Sequence, residues 1–308
     1  MNVVVLMGGI SAEREVSLSS GAECAAALRK AGHDVRAIDV TGDVAALLAA
    51  LDPRPDAVFN ALHGRFGEDG CVQGILEWLA IPYTHSGVRA SATAMDKVAA
   101  KAAFAAASLP VAPHRVITPA ELAEGDPMPR PYVLKPVDEG SSVGVSIVKN
   151  GDNRPASLAA EWHFGARIMV EPFIPGRDLT VAVMGENGSS RALAVTEIVT
   201  DHRFYDYSAK YEQGGSCHVI PAAIHSAAYA QAMQTAVAAH RALGCRGVSR
   251  SDFRYDDTAG EPGRLVLLET NTQPGMTPTS LVPEQAAHLG IDFPHLCSWL
   301  VEQARCGP

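Results

Sequence analysis

The chain has 308 residues, of which 47% are hydrophobic and 19% charged, with a formal net charge of −9. That length buries a sizeable core and suits two or three domains. The acidic balance and the lack of any Lys/Arg run argue against nucleic acid, and no apolar run of about 18 residues predicts a membrane span. An anionic small ligand stays open, because a pocket needs only two or three local cations.

The opening "MNVVVLMGGISAE" lacks a basic leader, and its apolar run is too short for a signal peptide. Cys24, Cys71, Cys217, Cys245, Cys297 and Cys306 are scattered without a CxxC pair. This argues against a zinc site and predicts reduced thiols in a cytoplasmic protein.

The first 95 residues alternate strand and helix. "NVVVLMGG" reads as a buried parallel strand ending in glycines, and Leu18 to Lys30 as a helix stopped by Gly32. "HDVRAIDV" is a strand, "DVAALLAAL" a helix closed by prolines, "DAVFNALHG" a strand and "CVQGILEWLA" a helix. The rhythm predicts an α/β unit with a parallel sheet covered by helices. From Thr93, "TAMDKVAAKAAFAAAS" reads as one capped helix ended by Pro110. The strands "YVLKPV", "GVSIV" and "RIMVEPFI" follow, and the Pro/Glu-rich stretch 118–131 reads as a loop. A third region begins with the strands "LTVAVMG" and "ALAVTEIV". It continues with a helix from about Ala222 to Leu243, the strands "GVSRSDFRYD" and "RLVLLETN", and a helix near 292–304. The expected organisation is three domains: 1–95, 96–178 and 179–308.

Several stretches carry chemistry. In "GGISAERE", Glu15 either complements a helix dipole or holds a substrate ammonium at the mouth of the sheet. His63, at the carboxyl end of the third strand, either caps a turn or faces the same mouth. Lys97 lies in the early turns of a helix. Lys135 interrupts an apolar strand, so its ammonium either snorkels to water or meets an anion such as phosphate. "EGSSVGV" (139–145) suits a hairpin turn, and its small residues also allow backbone amides to approach a phosphate. In "VEPFIPGRD", Glu171 opens a proline-stiffened hinge whose backbone groups suit the edge of an adenine ring.

Arg250 and Asp252 lie two apart on a strand and so share a face, as do Glu269 and Asn271. Two carboxylates and an amide oxygen facing one another suit Mg²⁺. Splayed strand ends are the alternative. "TQPGMTPTSLVPE" makes a tight loop into a helix, where backbone amides and Ser280 suit a carboxylate or an oxyanion. The stretch 201–215, "DHRFYDYSAKYEQGG", reads either as a decorated edge strand or as a polar lid.

Taken together, "GGISAEREVSLSSG", "LHGRFGEDG", "IPYTHSGVRASATAMDK", "YVLKPVDEGSSVGV", "FYDYSAKY", "SRSDF" and "LLETNTQPGMTPTSLVP" resemble the ATP-grasp ligases, and among them the D-alanine–D-alanine ligase family. The resemblance covers residues 8 to 283. It implies a three-domain ATP-grasp fold in which two antiparallel sheets grip ATP, preceded by the parallel α/β sheet. Lys97, Lys135 and Ser142 would contact ATP phosphates, Glu171 and Ile174 the adenine, and Asp178 the ribose, where the family usually carries glutamate. Asp252, Glu269 and Asn271 would hold two Mg²⁺ (or Mn²⁺). Glu15 would bind the ammonium of the first D-alanine, in a hydrogen-bonded group with Ser141 and Tyr211, and His63 would also contact substrate. Lys210, Ser280 and Leu281 would hold the carboxylate of the second D-alanine. Arg250 and the Gly275 amide would stabilise an oxyanion. His85 stands where the family often has glycine.

The implied reaction converts a carboxylate to an acyl phosphate, which a second D-alanine attacks to give D-alanyl-D-alanine for peptidoglycan synthesis. Because acyl phosphates hydrolyse, a lid over 201–219 is expected. The resemblance also implies a homodimer. D-Serine as second substrate, another ATP-grasp ligase, or a nucleotide-binding protein without catalysis are the rival readings. The Lys210–Tyr211 pair argues against D-lactate.

Overall fold

In the computed structural model, residues 1–140, 143–152, 155–186, 189–200 and 217–307 are described. The first sheet has three parallel strands: β1 (Asn2–Gly8) lies between β2 (Asp34–Val40) and β3 (Ala57–Asn60). The Val3–Leu6 run of β1 is fully buried, as a central parallel strand covered on both faces requires. Helix α1 (Arg14–Lys30), α2 (Val44–Ala50) and α3 (Cys71–Trp78) connect these strands and follow them. Asp43 caps α2 by accepting from the Ala45 and Ala46 amides.

The expected single helix over 93–108 is two: α4 (Val88–Met95) and α5 (Lys97–Ala106). Asp96 breaks it. Its backbone is extended, and its carboxylate accepts from the Val98 and Ala99 amides, which makes it the cap of a new helix. Lys97 is thereby the first residue of α5. The expected loop over 118–131 also holds a helix, α6 (Pro119–Ala123). Thr118 and Glu121 form a reciprocal capping box, with proline at the first turn.

The second sheet is antiparallel, in the order β4 (Arg115–Ile117), β7 (Ile168–Pro172), β5 (Tyr132–Pro136), β6 (Ser146–Val148). Helix α7 (Pro155–Glu161) joins β6 to β7. The third sheet is also antiparallel and runs β10 (Cys217–Val219), β9 (Ser189–Val199), β8 (Arg177–Glu186), β11 (Gly247–Asp256), β12 (Arg264–Asn271). Helix α8 (Ser226–Leu243) covers it, starting four residues later than expected and ending at Gly244, whose φ of 72° closes the helix in a left-handed turn. Helices α9 (Leu281–His288) and α10 (Phe293–Glu302) complete the chain.

One core runs through the parallel sheet and into the C-terminal elements. Val3, Val5 and Phe59 pack in the same cluster as Met184, Val248, Leu296 and Leu300. Gln285 of α9, fully buried, stitches α9 to the third sheet. Its carbonyl accepts the Ala182 amide at 2.8 Å, and its amide donates to Thr196 Oγ1 at 2.9 Å and the Thr180 carbonyl at 3.2 Å.

Candidate active site

Two cavities adjoin where the sheets meet. A cleft of about 150 Å³ lies between the second and third sheets, lined by Lys135, Glu171, Ile174, Asp178 and Asp252 among others. A larger cavity of about 490 Å³ opens at the carboxyl end of the parallel sheet and takes in Glu15, His63, Arg250, Asn271, Gly275 and Ser280. Lys97, Glu139 and Glu269 line both. Among the described residues, those singled out for a nucleotide and those singled out for a small zwitterion therefore fall into adjacent spaces.

Register sets the polar face between them. Arg250 pairs with Asn271 and Asp252 with Glu269 across β11 and β12, so all four side chains share one face of the sheet. The strand ends do not splay. Arg250 donates to both Asp252 oxygens, at 2.9 and 2.7 Å, and Thr180 Oγ1 donates to the same carboxylate at 2.7 Å. Asn271 Oδ1 accepts the Gln273 amide at 2.8 Å, and Lys97 Nζ stands 4.0 Å from Glu269. The donors are two carboxylates and an amide, all hard oxygen, which fits Mg²⁺ or Mn²⁺ rather than zinc. Among the described residues no group of three or more His, Cys, Asp or Glu side chains suits a metal ion.

Lys135 does not snorkel. Its ammonium and that of Lys101 both bind Glu171, which is 3% exposed, and Lys101 is 1% exposed. Burial alone would raise the Glu171 pKa, but the two ammoniums outweigh it and bring the carboxyl down to about 2. Glu171 thus faces two lysines in the floor of the cleft. Lys101 was not singled out in the sequence, yet it sits one turn after Lys97 on α5, a spacing that puts both on one helix face. Lys97 Nζ donates to the Glu139 carbonyl at the start of the "EGSSVGV" turn. Asp178 pairs with Arg254 at 2.6 Å, and Arg254 also donates to the Ile174 and Gly176 carbonyls, which pins the hinge.

At the other end, Glu13 and Glu15 both line the larger cavity, but only Glu13 is buried, at 8% exposed. A Cβ on Gly140 would lie 3.3 Å from the Glu13 carboxylate and 3.8 Å from that of Glu68. Any side chain at Gly140 would therefore crowd this corner. Glu68 accepts the Gly64 amide at 2.8 Å. Burial first, then the charge of Glu13, push its carboxyl up to about 8. His63 is 6% exposed, its Nε2 has no partner, and burial lowers its pKa against the pull of Glu13.

The amide of Thr277 donates to Ser280 Oγ at 3.0 Å, and the two hydroxyls lie 2.8 Å apart. Ser280 precedes α9 without capping it through its side chain, and Ser280 and Leu281 both line the cavity. His218, which the sequence reading passed over, also lines this cavity and bonds Glu284 at 2.6 Å. His85 is buried at φ 67°, edge-on to Phe59, with both ring nitrogens unpartnered. Burial and then His63 bring its pKa down to about 3. Its carbonyl accepts from Arg246 at 2.8 Å. Ser141, Ser142, Lys210, Tyr211 and the lid stretch up to residue 216 lie outside the described residues. The six cysteines are all free thiols, and no described helix is long and apolar enough to cross a membrane.

Comparison with known proteins gives the family. Residues 45–86 match the family described as the D-ala D-ala ligase N-terminus, and residues 104–302 match its C-terminus. A D-alanine–D-alanine ligase of Acidiphilium cryptum is 65% identical, covering 99% of this chain and 98% of its own. One of Gluconobacter oxydans is 58% identical, covering 99% of both. Among solved structures, a D-alanine–D-alanine ligase of Bacillus anthracis superposes with a TM-score of 0.82 at 30% identity, covering 98% of this chain and 97% of its own. A structure of that enzyme complexed with ATP gives a TM-score of 0.80 at 26% identity over the same shares. With both parts of the family matched and relatives aligned end to end, this chain belongs to the D-alanine–D-alanine ligases, within the ATP-grasp fold.

Proposed function

We propose that the chain joins two D-alanines into D-alanyl-D-alanine, driven by ATP through an acyl phosphate, and so supplies peptidoglycan precursor synthesis. One arrangement carries the reading: a cleft floored by Lys135 and Glu171 opens onto the larger cavity at Lys97, Glu139 and Glu269. That junction is where a γ-phosphate must meet a carboxylate.

ATP lies in the cleft, its adenine edge against the hinge at Glu171 to Ile174 and its ribose near Asp178. Lys97 and Lys135 offset phosphate charge, and Ser142 belongs to the same set. The first D-alanine sits in the larger cavity beside His63. The ammonium role expected of Glu15 passes better to Glu13, which is buried in the cavity wall while Glu15 is exposed. A buried carboxylate in low dielectric binds a cation more strongly. Ser141 and Tyr211 complete the group with this glutamate.

The first D-alanine carboxylate attacks the γ-phosphorus, and ADP leaves. Asp252, Glu269 and Asn271 would hold two Mg²⁺ (or Mn²⁺), which when bound offset charge on the phosphate oxygens. The second D-alanine is held by its carboxylate against Ser280, the Leu281 amide and Lys210. Its amine, having lost a proton, attacks the acyl carbon. Arg250 and the Gly275 amide donate to the oxyanion until inorganic phosphate leaves. Of the stretch expected as a lid, Cys217–Val219 is instead strand β10 of the third sheet, and the role of excluding water from the acyl phosphate falls to 201–216.

We assign the enzyme to the cytoplasm and expect a homodimer. The reading is tested by incubating the protein with ATP, Mg²⁺ and D-alanine and measuring phosphate and dipeptide. ATP turnover or binding without D-alanyl-D-alanine would refute it, and preferential D-alanyl-D-serine formation from mixed substrates would reassign the second substrate.

A further inference from the structure

We propose that His218, oriented by Glu284, takes a proton from the ammonium of the second D-alanine and so frees the amine that attacks the acyl phosphate; the inference rests on the ligase reading above. In that step an N–H bond of the ammonium breaks, its electron pair stays on nitrogen, and the proton passes to His218 Nε2. The amine then forms the C–N bond, and the bond from the acyl carbon to the phosphate oxygen breaks. The second proton that the nitrogen sheds leaves with inorganic phosphate. The imidazolium returns the first to solvent once the dipeptide has left.

Sheet register places His218 on the working face. Across the third sheet His218 pairs with Ile198, Ile198 with Asp178 and Asp178 with Arg254, so these residues share one face. Asp252 lies two residues from Arg254 on the same strand and shares that face as well. Ile198 and Asp178 line the cleft, whereas His218, on the edge strand, lines the larger cavity together with Ser280 and Leu281. Its Nδ1 meets Glu284 Oε2 at 2.6 Å. Glu284 is one turn into α9, and its amide donates to the Ser280 carbonyl at 2.9 Å. Side chains one turn apart on a helix are neighbours, with Cβ atoms about 5–6 Å apart. The histidine is thereby tied to the same helical turn as Ser280 and Leu281, the proposed holders of the second carboxylate.

Hydrogen bonding fixes what the ring offers. A carboxylate only accepts, so Nδ1 carries the hydrogen, and the neutral ring keeps a lone pair on Nε2. That nitrogen is buried and has no hydrogen-bond partner. A buried acceptor without a donor is unfavourable, so the site gains when a donor arrives. A lone pair repels the substrate carboxylate and attracts the other end of the zwitterion. In an α-amino acid that end is one carbon away, so a group near the carboxylate site is also near the nitrogen. The carboxylate itself is held by donors, and the ammonium proton needs a separate acceptor. Once protonated, the ring pairs with Glu284, the arrangement in which a carboxylate orients a histidine base and supports its charge.

The test compares two nucleophiles on the full chain with ATP, Mg²⁺ and D-alanine. A second D-alanine arrives as an ammonium and needs the base, whereas hydroxylamine is already unprotonated at neutral pH. His218→Gln should lower kcat for the dipeptide by about 100-fold or more, with the KM for the second D-alanine within about threefold of the parent. The same variant should still form D-alanyl hydroxamate within about threefold of the parent rate. Glu284→Gln should show the same pattern, a slower dipeptide and an undiminished hydroxamate. Equal loss of both products in His218→Gln marks a merely structural residue, and a raised KM with kcat kept marks a binding contact; either overturns the inference. If that variant fails to fold, Glu284→Gln decides by the same comparison. If the parent forms no hydroxamate, the division of the dipeptide loss between kcat and KM decides. A parent that makes no dipeptide overturns the ligase reading itself, whereas a His218→Gln variant that makes dipeptide at the parent rate overturns only this inference.

Discussion

Replacing Glu171 by glutamine removes the single counter-charge for two lysines in the floor of the cleft. Lys101 is 1% exposed and Lys135 12%, so neither ammonium recovers much water when the carboxylate is lost. The depression of the Glu171 carboxyl from 4.5 to about 2 corresponds to about 3 kcal/mol of folding free energy. Because the folded pKa lies below the unfolded one, that stabilisation is complete above about pH 4.5 and is lost as pH falls through about 2. Breaking one side of a buried pair typically costs about 3–5 kcal/mol, in line with this figure. At pH 7, Glu171→Gln should therefore lower stability in urea by about 3–5 kcal/mol and the melting temperature by about 6–10 °C. Removing Lys101 as well, by Lys101→Met with Glu171→Gln, should recover part of the loss, because one of the two stranded ammoniums is then gone while Lys135 stays unpaired. A Glu171→Gln variant within about 1 kcal/mol of the parent at pH 7 would refute the argument.

Other consequences are as direct. Glu269→Gln should abolish dipeptide formation while the fold, followed by circular dichroism, stays intact, since Glu269 is partly exposed and its nearest cation, Lys97, is 4.0 Å away. Near-normal turnover would contradict its assignment to the metal site. Gln285→Met should destabilise the chain by about 2–4 kcal/mol, because it strands the Ala182 amide, the Thr180 carbonyl and the Thr196 hydroxyl in a dry interior. An unchanged urea midpoint would show that these groups find other partners.

The parts of the molecule legible in sequence were those governed by period and punctuation. Strands β11 and β12 begin and end as expected, because alternating burial and the Gly/Asp/Asn boundaries leave few options. The shared face of Arg250, Asp252, Glu269 and Asn271 follows from a period of two, and the cross-strand register then completes it. Two helix boundaries went unseen for a local reason. Asp96 is a favoured N-cap residue, but it lies inside an Ala-rich stretch without Gly or Pro, so nothing in the spacing marks where its backbone turns extended. Thr118-Pro119-Ala120-Glu121 carries a capping-box pattern that its proline content obscured. The choice between Glu13 and Glu15 depends on which one turns inward at the first turn of α1, and spacing alone does not determine that. Lys101 and Glu68 are site residues through burial. Nothing in "KVAAKAAF" or "GEDG" states that a neighbouring sheet will cover them, although the Lys97–Lys101 spacing gave a clue.

The core that joins the parallel sheet to α10 also bears on how the chain folds during synthesis. Val3, Val5 and Phe59 emerge early, but part of their packing comes from Leu296, Leu300 and Val301 near the far end of the chain. Asn60 waits for Gln273, 213 residues later, and the Cys24 thiol for the Met276 carbonyl, 252 residues later. Contacts of such sequence separation slow folding, since loop closure must precede their reward. A nascent chain with only its first sheet would leave one apolar face bare, the state most prone to aggregate. The cavity for the first substrate, whose walls draw on both regions, would be among the last features of the molecule to form.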